Sequence, residues 1–155
     1  EAIATAYEDL VSQLTAVASR TNLTPFSRLL VFVDTQFEWT LRFRGIAAQI
    51  LFPEEWLLSK KRSSAQSQRI AQANIQYQRL LRDVVGSAAL YLNPDRPGAE
   101  LAPIESALVQ WLTFGFSAWA AGNRIAVESV GMREFISEAR ARFHRVIEMI
   151  LRSDE

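Results

Sequence analysis

The chain has 155 residues, with 17 Lys+Arg against 17 Asp+Glu, one histidine and no cysteine. One ordinary domain fits that length, and zero net charge argues against a stand-alone nucleic-acid binder, whose phosphate contacts need a basic excess. The missing cysteine excludes disulfides, thiolate zinc sites, Fe–S clusters and cysteine nucleophiles, while 49% hydrophobic and 22% charged residues exclude disorder.

Six Gly and five Pro are too few to punctuate a many-turned sheet, and no stretch shows sustained alternation with Gly-rich turns. The sequence therefore reads as all-α, an antiparallel helical bundle of about six helices forming one domain over 1–155. A first helix is predicted from Glu1 to Arg20, its apolar face carried by Ile3, Tyr7, Leu10, Leu14, Val17 and Ala18 at three- and four-residue steps. The second opens with Thr24 as N-cap and Pro25 at the first helical position, where a missing N–H costs nothing, and runs to Arg44. Leu29, Leu30, Val33, Phe37 and Leu41 make one face, with Phe32, Trp39 and Phe43 on others, which predicts a helix at the centre of the domain.

Gly45 and Pro53 bound a short predicted helix, Ile46 to Phe52, and Glu54-Glu55-Trp56 suits a following first turn. The fourth helix, with a break expected near Ser63-Ser64, carries Ile70, Ala73, Tyr77, Leu80, Leu81, Val84 and Ala88 on one side. Asn93-Pro94-Asp95-Arg96-Pro97-Gly98 is the strongest loop signal. A fifth helix spans Ile104 to Gly122. The sixth spans Met132 to Arg152, with a stripe of Met132, Phe135, Ile136, Ala139, Phe143, Val146, Ile147 and Ile150.

Ser106 to Asn123 carries no charge over 18 residues, the threshold for a membrane span. Its polar residues Ser106, Gln110, Thr113 and Ser117 share one narrow stripe, however, as in a buried helix. The N-terminus lacks the basic start and apolar core of a signal peptide, so the cytoplasm is the expected compartment.

Catalysis finds little material. A di-iron bundle needs Glu-x-x-His on two helices, and His144 is the sole histidine, with Ala141 three residues before it. His144 reads as a surface or interface residue. Glu134, Glu138 and Glu148 read as helix-surface charges, and the pairs Glu138–Arg142 and Glu148–Arg152 each contribute ~0.3 kcal/mol. Phosphate loops and nucleophile elbows are missing, so no enzyme activity, metal or cofactor is expected.

Lys60, Lys61, Arg62, Arg69, Arg79 and Arg82 occur with no acidic residue between Glu55 and Asp83. That run suits either an anionic partner or a solvated face shared with Gln66, Gln68, Gln72 and Gln76, and the second reading is favoured. The stripe Gln110, Thr113 and Ser117 is the other constellation. Burying such groups unpartnered would cost ~1–3 kcal/mol each. Back-bonding to the preceding turn, a partner across an interface, or a ligand in a cavity would each satisfy them. Phe37, Phe43, Trp56 and Tyr77 are the aromatics expected to line an apolar pocket against it.

The last two helices suggest association. Gly115, Ala118 and Gly122 leave a shallow surface beside Trp111 and Trp119, and Phe135, Ala139, Phe143, Val146 and Ile150 continue it on the sixth helix. Two such helices from each of two chains would make an isologous four-helix interface, with intrachain packing as the rival reading.

Three segments together carry a resemblance to a family. Glu-Ala-Ile-Ala-Thr-Ala-Tyr-Glu-Asp-Leu at the start resembles the connecting helix of TetR-type transcriptional regulators. Thr24-Pro25-Phe26-Ser27-Arg28-Leu29-Leu30-Val31-Phe32-Val33 resembles their long central helix, and Ile104–Gly122 with Met132–Leu151 is similar to their dimerisation pair. The resemblance covers essentially the whole chain as a pattern of helices. It implies a homodimer that binds a small apolar or amphiphilic effector, with 1–20 as the connecting helix and 104–152 as dimerisation helices. DNA would then be read only by a helix-turn-helix domain upstream of Glu1, since these 155 residues contain none. A helical homodimeric interaction module with no ligand is the alternative, and a peripheral membrane or lipid carrier a third.

Overall fold

In a computed structural model, the described residues are 2–43, 64–122 and 130–152. They form five α-helices: α1 (Ala2–Ala18), α2 (Pro25–Arg42), α3 (Ser64–Leu92), α4 (Pro103–Gly122) and α5 (Val130–Arg152). Among the described residues there is no strand, which agrees with the all-α expectation. The short helix expected at Ile46–Phe52, the Lys60–Arg62 cluster and Trp56 lie outside the described residues. From Ser64 onward α3 is unbroken for 29 residues.

Local chemistry explains the boundaries. Thr24 is extended, at φ −61° and ψ 154°, and its hydroxyl accepts the Ser27 N–H at 3.1 Å, with Pro25 beginning the helix. Such a cap contributes ~1 kcal/mol. At the other end of α2 the Phe43 N–H reaches the Trp39 carbonyl. Asn93 ends α3, and its side-chain amide donates both to the Ala89 carbonyl at 2.9 Å and to the Leu151 carbonyl at 2.7 Å. One amide therefore joins the C-terminal ends of α3 and α5. The loop beyond it turns through Gly98 at φ +72°, a conformation that glycine adopts without steric cost, and through Ala102 at φ +29°.

This loop returns close to α3. A Cβ on Gly86 would lie 2.0 Å from the Glu100 carbonyl oxygen, so no other residue fits there without moving backbone. Arg96 on the loop pairs with Glu105 at 2.8 Å, placing an acidic group in the first turn of α4 where the helix dipole favours it.

α3 contacts all four other helices. It shares the centre with the second helix, Tyr77, Val85, Ala88 and Ala89 of α3 and Leu29, Phe32, Val33 and Phe37 of α2 being fully enclosed. α2 contacts α1, α3 and α4 as well, and its buried face differs from the apolar tally. Leu29, Phe32, Val33, Phe37 and Trp39 are buried together with Gln36 and Thr40, while Leu30 and Leu41 are half-buried. Two polar residues occupy core positions because the neighbouring helices supply their partners. On α1 the expected Tyr7, Leu10, Leu14 and Val17 are all buried. Among the described residues, no helix is long and apolar enough to cross a membrane.

Candidate functional site

The polar stripe of α4 faces α2 and α3. Thr113 donates its hydroxyl back to the Val109 carbonyl at 2.7 Å, and Ser117 pairs with Thr40 at 3.1 Å, all within the buried interior. Thr40 also back-bonds to the Gln36 carbonyl at 2.9 Å. From α3 the Tyr77 hydroxyl donates to Gln36 Oε1 at 2.9 Å. The result is a polar seam across three helices, in which Tyr77–Gln36 and Thr40–Ser117 pair between helices while Thr113 is satisfied by its own helix's backbone. Ser106, at the start of the stripe, keeps its Oγ buried with no hydrogen-bond partner among the described residues.

Aromatic rings flank the seam. Phe37 lies 4.2 Å from Phe116 and 5.1 Å from Phe143, between ring centroids, and Tyr77 stacks on Phe114 at 6.1 Å. Of the residues expected to line a pocket, Phe37, Tyr77, Thr113 and Ser117 are brought together as core. Gln110 is half-buried on the same helix. Phe43 is half-buried at the end of α2 against Trp39, 5.2 Å away, and Trp56 falls outside the described residues. Burial pushes the Tyr77 hydroxyl to a higher pKa than usual, partly offset by the bond to Gln36. Burial does the same at Tyr7, with a smaller contribution from Tyr77. Tyr7 donates to Asn74 Oδ1 at 3.0 Å.

The expected interface residues divide into two sets. Trp111 is 68% exposed and Phe135 56%, and Leu112, Val146 and Met149 are exposed on the same two helices. Gly115 is exposed, with nothing within 4 Å of where a Cβ would stand. Trp119 is half-buried, its ring 6.2 Å from those of Phe116 and Phe135. Ala139 and Ile150 are half-buried. Phe143 turns inward onto Phe37, and Gly122 ends α4.

Two arrangements were not read from the sequence. The first is ionic and joins α2 to α5. Asp34 Oδ1 accepts from His144 Nε2 at 2.9 Å and from Arg140 Nε at 3.3 Å, and Arg140 Nη1 also bonds Glu38. Burial opposes the Arg140 charge, but the bonds to Glu38 and Asp34 outweigh it and raise the guanidinium pKa further. The signal lay in two matching spacings: Asp34 and Glu38 stand four apart on one helix, Arg140 and His144 four apart on another. His144 is thereby a bridge between helices, half-buried rather than free on the surface. Among the described residues, no group of three His, Cys, Asp or Glu is placed to hold a metal ion.

The second is an open cleft of about 610 Å³ between α1 and α3. Val11 and Ala73 form its buried floor, and Ser12 and Ala16 stand opposite Gln72 and Gln76 along its sides. Arg69 closes one end by gripping Glu8 with two bonds, at 2.7 and 2.6 Å. The bonds from Arg69 hold the Glu8 carboxyl below its usual pKa. Arg69 is one of the six basic residues of the 60–82 run. Arg79 and Arg82 of that run are exposed on α3, beside the exposed Gln68, Gln72 and Gln76.

Comparison with family models, with curated proteins and with solved structures found no match to this chain.

Proposed function

We propose that the chain is the regulatory and dimerisation domain of a TetR-like transcriptional regulator, a cytoplasmic helical bundle that binds a small apolar or amphiphilic effector. The observation that carries the reading is the apolar surface of the last two helices, with Trp111 68% and Met149 69% exposed beside Leu112, Phe135 and Val146. Large apolar residues left exposed on one pair of helices suit an interaction surface, and a large aromatic such as Trp111 is a typical anchor for one. Paired with its own copy, this face would form an isologous interface. DNA would be read by heads outside these residues, reached through α1.

The effector is assigned to the seam around Phe37, Tyr77, Gln110, Thr113 and Ser117, with Phe43 at its margin. An effector acts only by binding one arrangement of the dimer better than another. One observation favours the alternative, a homodimeric interaction module without a ligand: Thr113, Ser117 and Tyr77 already have partners inside the protein.

Sedimentation equilibrium tests the shared part of both readings. A dimer is expected at micromolar concentration, converted to a folded monomer by Trp111→Glu with Val146→Glu. A wild-type monomer overturns both. Thermal shifts against a varied panel of apolar compounds then separate them, since a ligand that binds only the folded state raises Tm.

A further inference from the structure

We propose that the cleft between α1 and α3 is a binding site for an uncharged amphiphile, a molecule with a flat apolar body and a few hydrogen-bonding groups. Its volume of about 610 Å³ is within the range of small-molecule sites. Val11 and Ala73, at 3% and 5% exposure, close the floor, and the exposed Ala16 supplies apolar surface open to a ligand. A ring system resting there would cover that surface and exclude water from it.

The polar groups determine the charge of the occupant. Gln72 and Gln76 stand one helical turn apart on the α3 side and are exposed, and each amide offers both a donor and an acceptor. Ser12 faces them from α1. Thr15 contributes no hydroxyl proton to a ligand, because it donates to the Val11 carbonyl at 2.7 Å. The charged residues lining the cleft, Glu8 and Arg69, cancel each other in a two-bonded pair. An anion would have to displace a carboxylate already held by the same protein, and a cation would have to displace the guanidinium. A neutral molecule meets neither obstacle.

Both walls matter to what binding would do. The occupant touches α1 and α3 alone, and on the regulatory reading α1 leads to the DNA-reading head. That consequence rests on the proposed function; the binding itself does not.

The test uses two probes with the same rings. N-phenyl-1-naphthylamine is uncharged, and 1-anilinonaphthalene-8-sulfonate is its sulfonated counterpart. Fluorescence titration of the 155-residue chain is expected to show saturable binding of the neutral probe, with the sulfonate weaker by roughly tenfold or more. Ala16→Trp fills the cleft from an exposed position and should weaken the neutral probe by roughly tenfold or more while leaving the melting temperature unchanged. Trp111→Glu, on the separate apolar face of α4 and α5, should leave that binding intact whether or not it alters the oligomeric state. No binding, unchanged binding in Ala16→Trp, or loss in Trp111→Glu would each overturn the site. None of these outcomes bears on the dimer measured by sedimentation.

Discussion

The Tyr77 hydroxyl donates to the side-chain oxygen of Gln36 at 2.9 Å, and both residues are almost wholly buried. Their helices meet along the core, so each group depends on the other for its only affordable environment. An unpartnered amide or hydroxyl at this depth costs ~1–3 kcal/mol. Tyr77→Phe, which leaves the Gln36 oxygen without its donor, should therefore destabilise by about 1–3 kcal/mol in urea unfolding. The double variant with Gln36→Leu should cost less than the two single changes summed. Simple additivity would mean that the two groups do not share an energetic interaction.

Tyr7 and Tyr77 both have hydroxyl pKa values pushed up by burial. An unfolded tyrosine releases its proton near pH 10. Where the folded value is higher, the unfolded state loses protons first, so stability is complete below that pH and declines as pH rises above it. Unfolding free energy measured from pH 8 upward should be flat with respect to these groups and then fall beyond about pH 10. Tyr77→Phe should make the fall shallower, and an identical slope in the variant would show that Tyr77 is not responsible.

Gly86 faces the Glu100 carbonyl so closely that an added Cβ would lie 2.0 Å away. Replacing a helical glycine by alanine ordinarily stabilises by ~1 kcal/mol. Here the sign should reverse, with Gly86→Ala lowering stability by about 2 kcal/mol, since backbone must move to admit the methyl group. Chemical denaturation of that single variant is sufficient. A gain in stability would mean that the 99–101 segment shifts freely.

Arg140 holds Asp34 and Glu38 of α2 from its position on α5. Arg140→Met keeps much of the side chain's apolar stem and removes both ion pairs, leaving Asp34 to His144. With the groups partly exposed, the change in stability should be only about 1 kcal/mol. Hydrogen exchange should accelerate in the central turns of α5 and remain as it was in α1. Uniform acceleration across the chain would instead mean that the cluster supports global stability.

Much of this architecture is legible in the residues themselves. Thr24-Pro25 begins a helix where a cap and a pre-set φ coincide, and Asn93 to Gly98 breaks the chain where the expected loop stands. The stripe of α1 likewise points to a face that the fold buries, with Tyr7, Leu10, Leu14 and Val17, whereas the α5 stripe divides, Ile136 and Ile147 buried but Phe135 and Val146 exposed. These are local effects, governed by backbone sterics and by side chains within a few residues, so sequence spacing carries them. The polar stripe of α4 was visible for the same reason, since Ser106, Gln110, Thr113 and Ser117 repeat at helical steps.

The partners of that stripe were not visible. Ser117 meets Thr40 across 77 positions, Tyr77 meets Gln36 across 41, and His144 meets Asp34 across 110. Helical periodicity states which side chains share a face but not which other helix that face will meet. Sparse glycine and proline pointed to helices throughout, and no strand occurs among the described residues. Tertiary packing alone decided that Gln36 could be buried, because only there does a second helix bring the Tyr77 hydroxyl that offsets its lost water, while Thr40 adds a bond to Ser117 to the one it makes within its own helix.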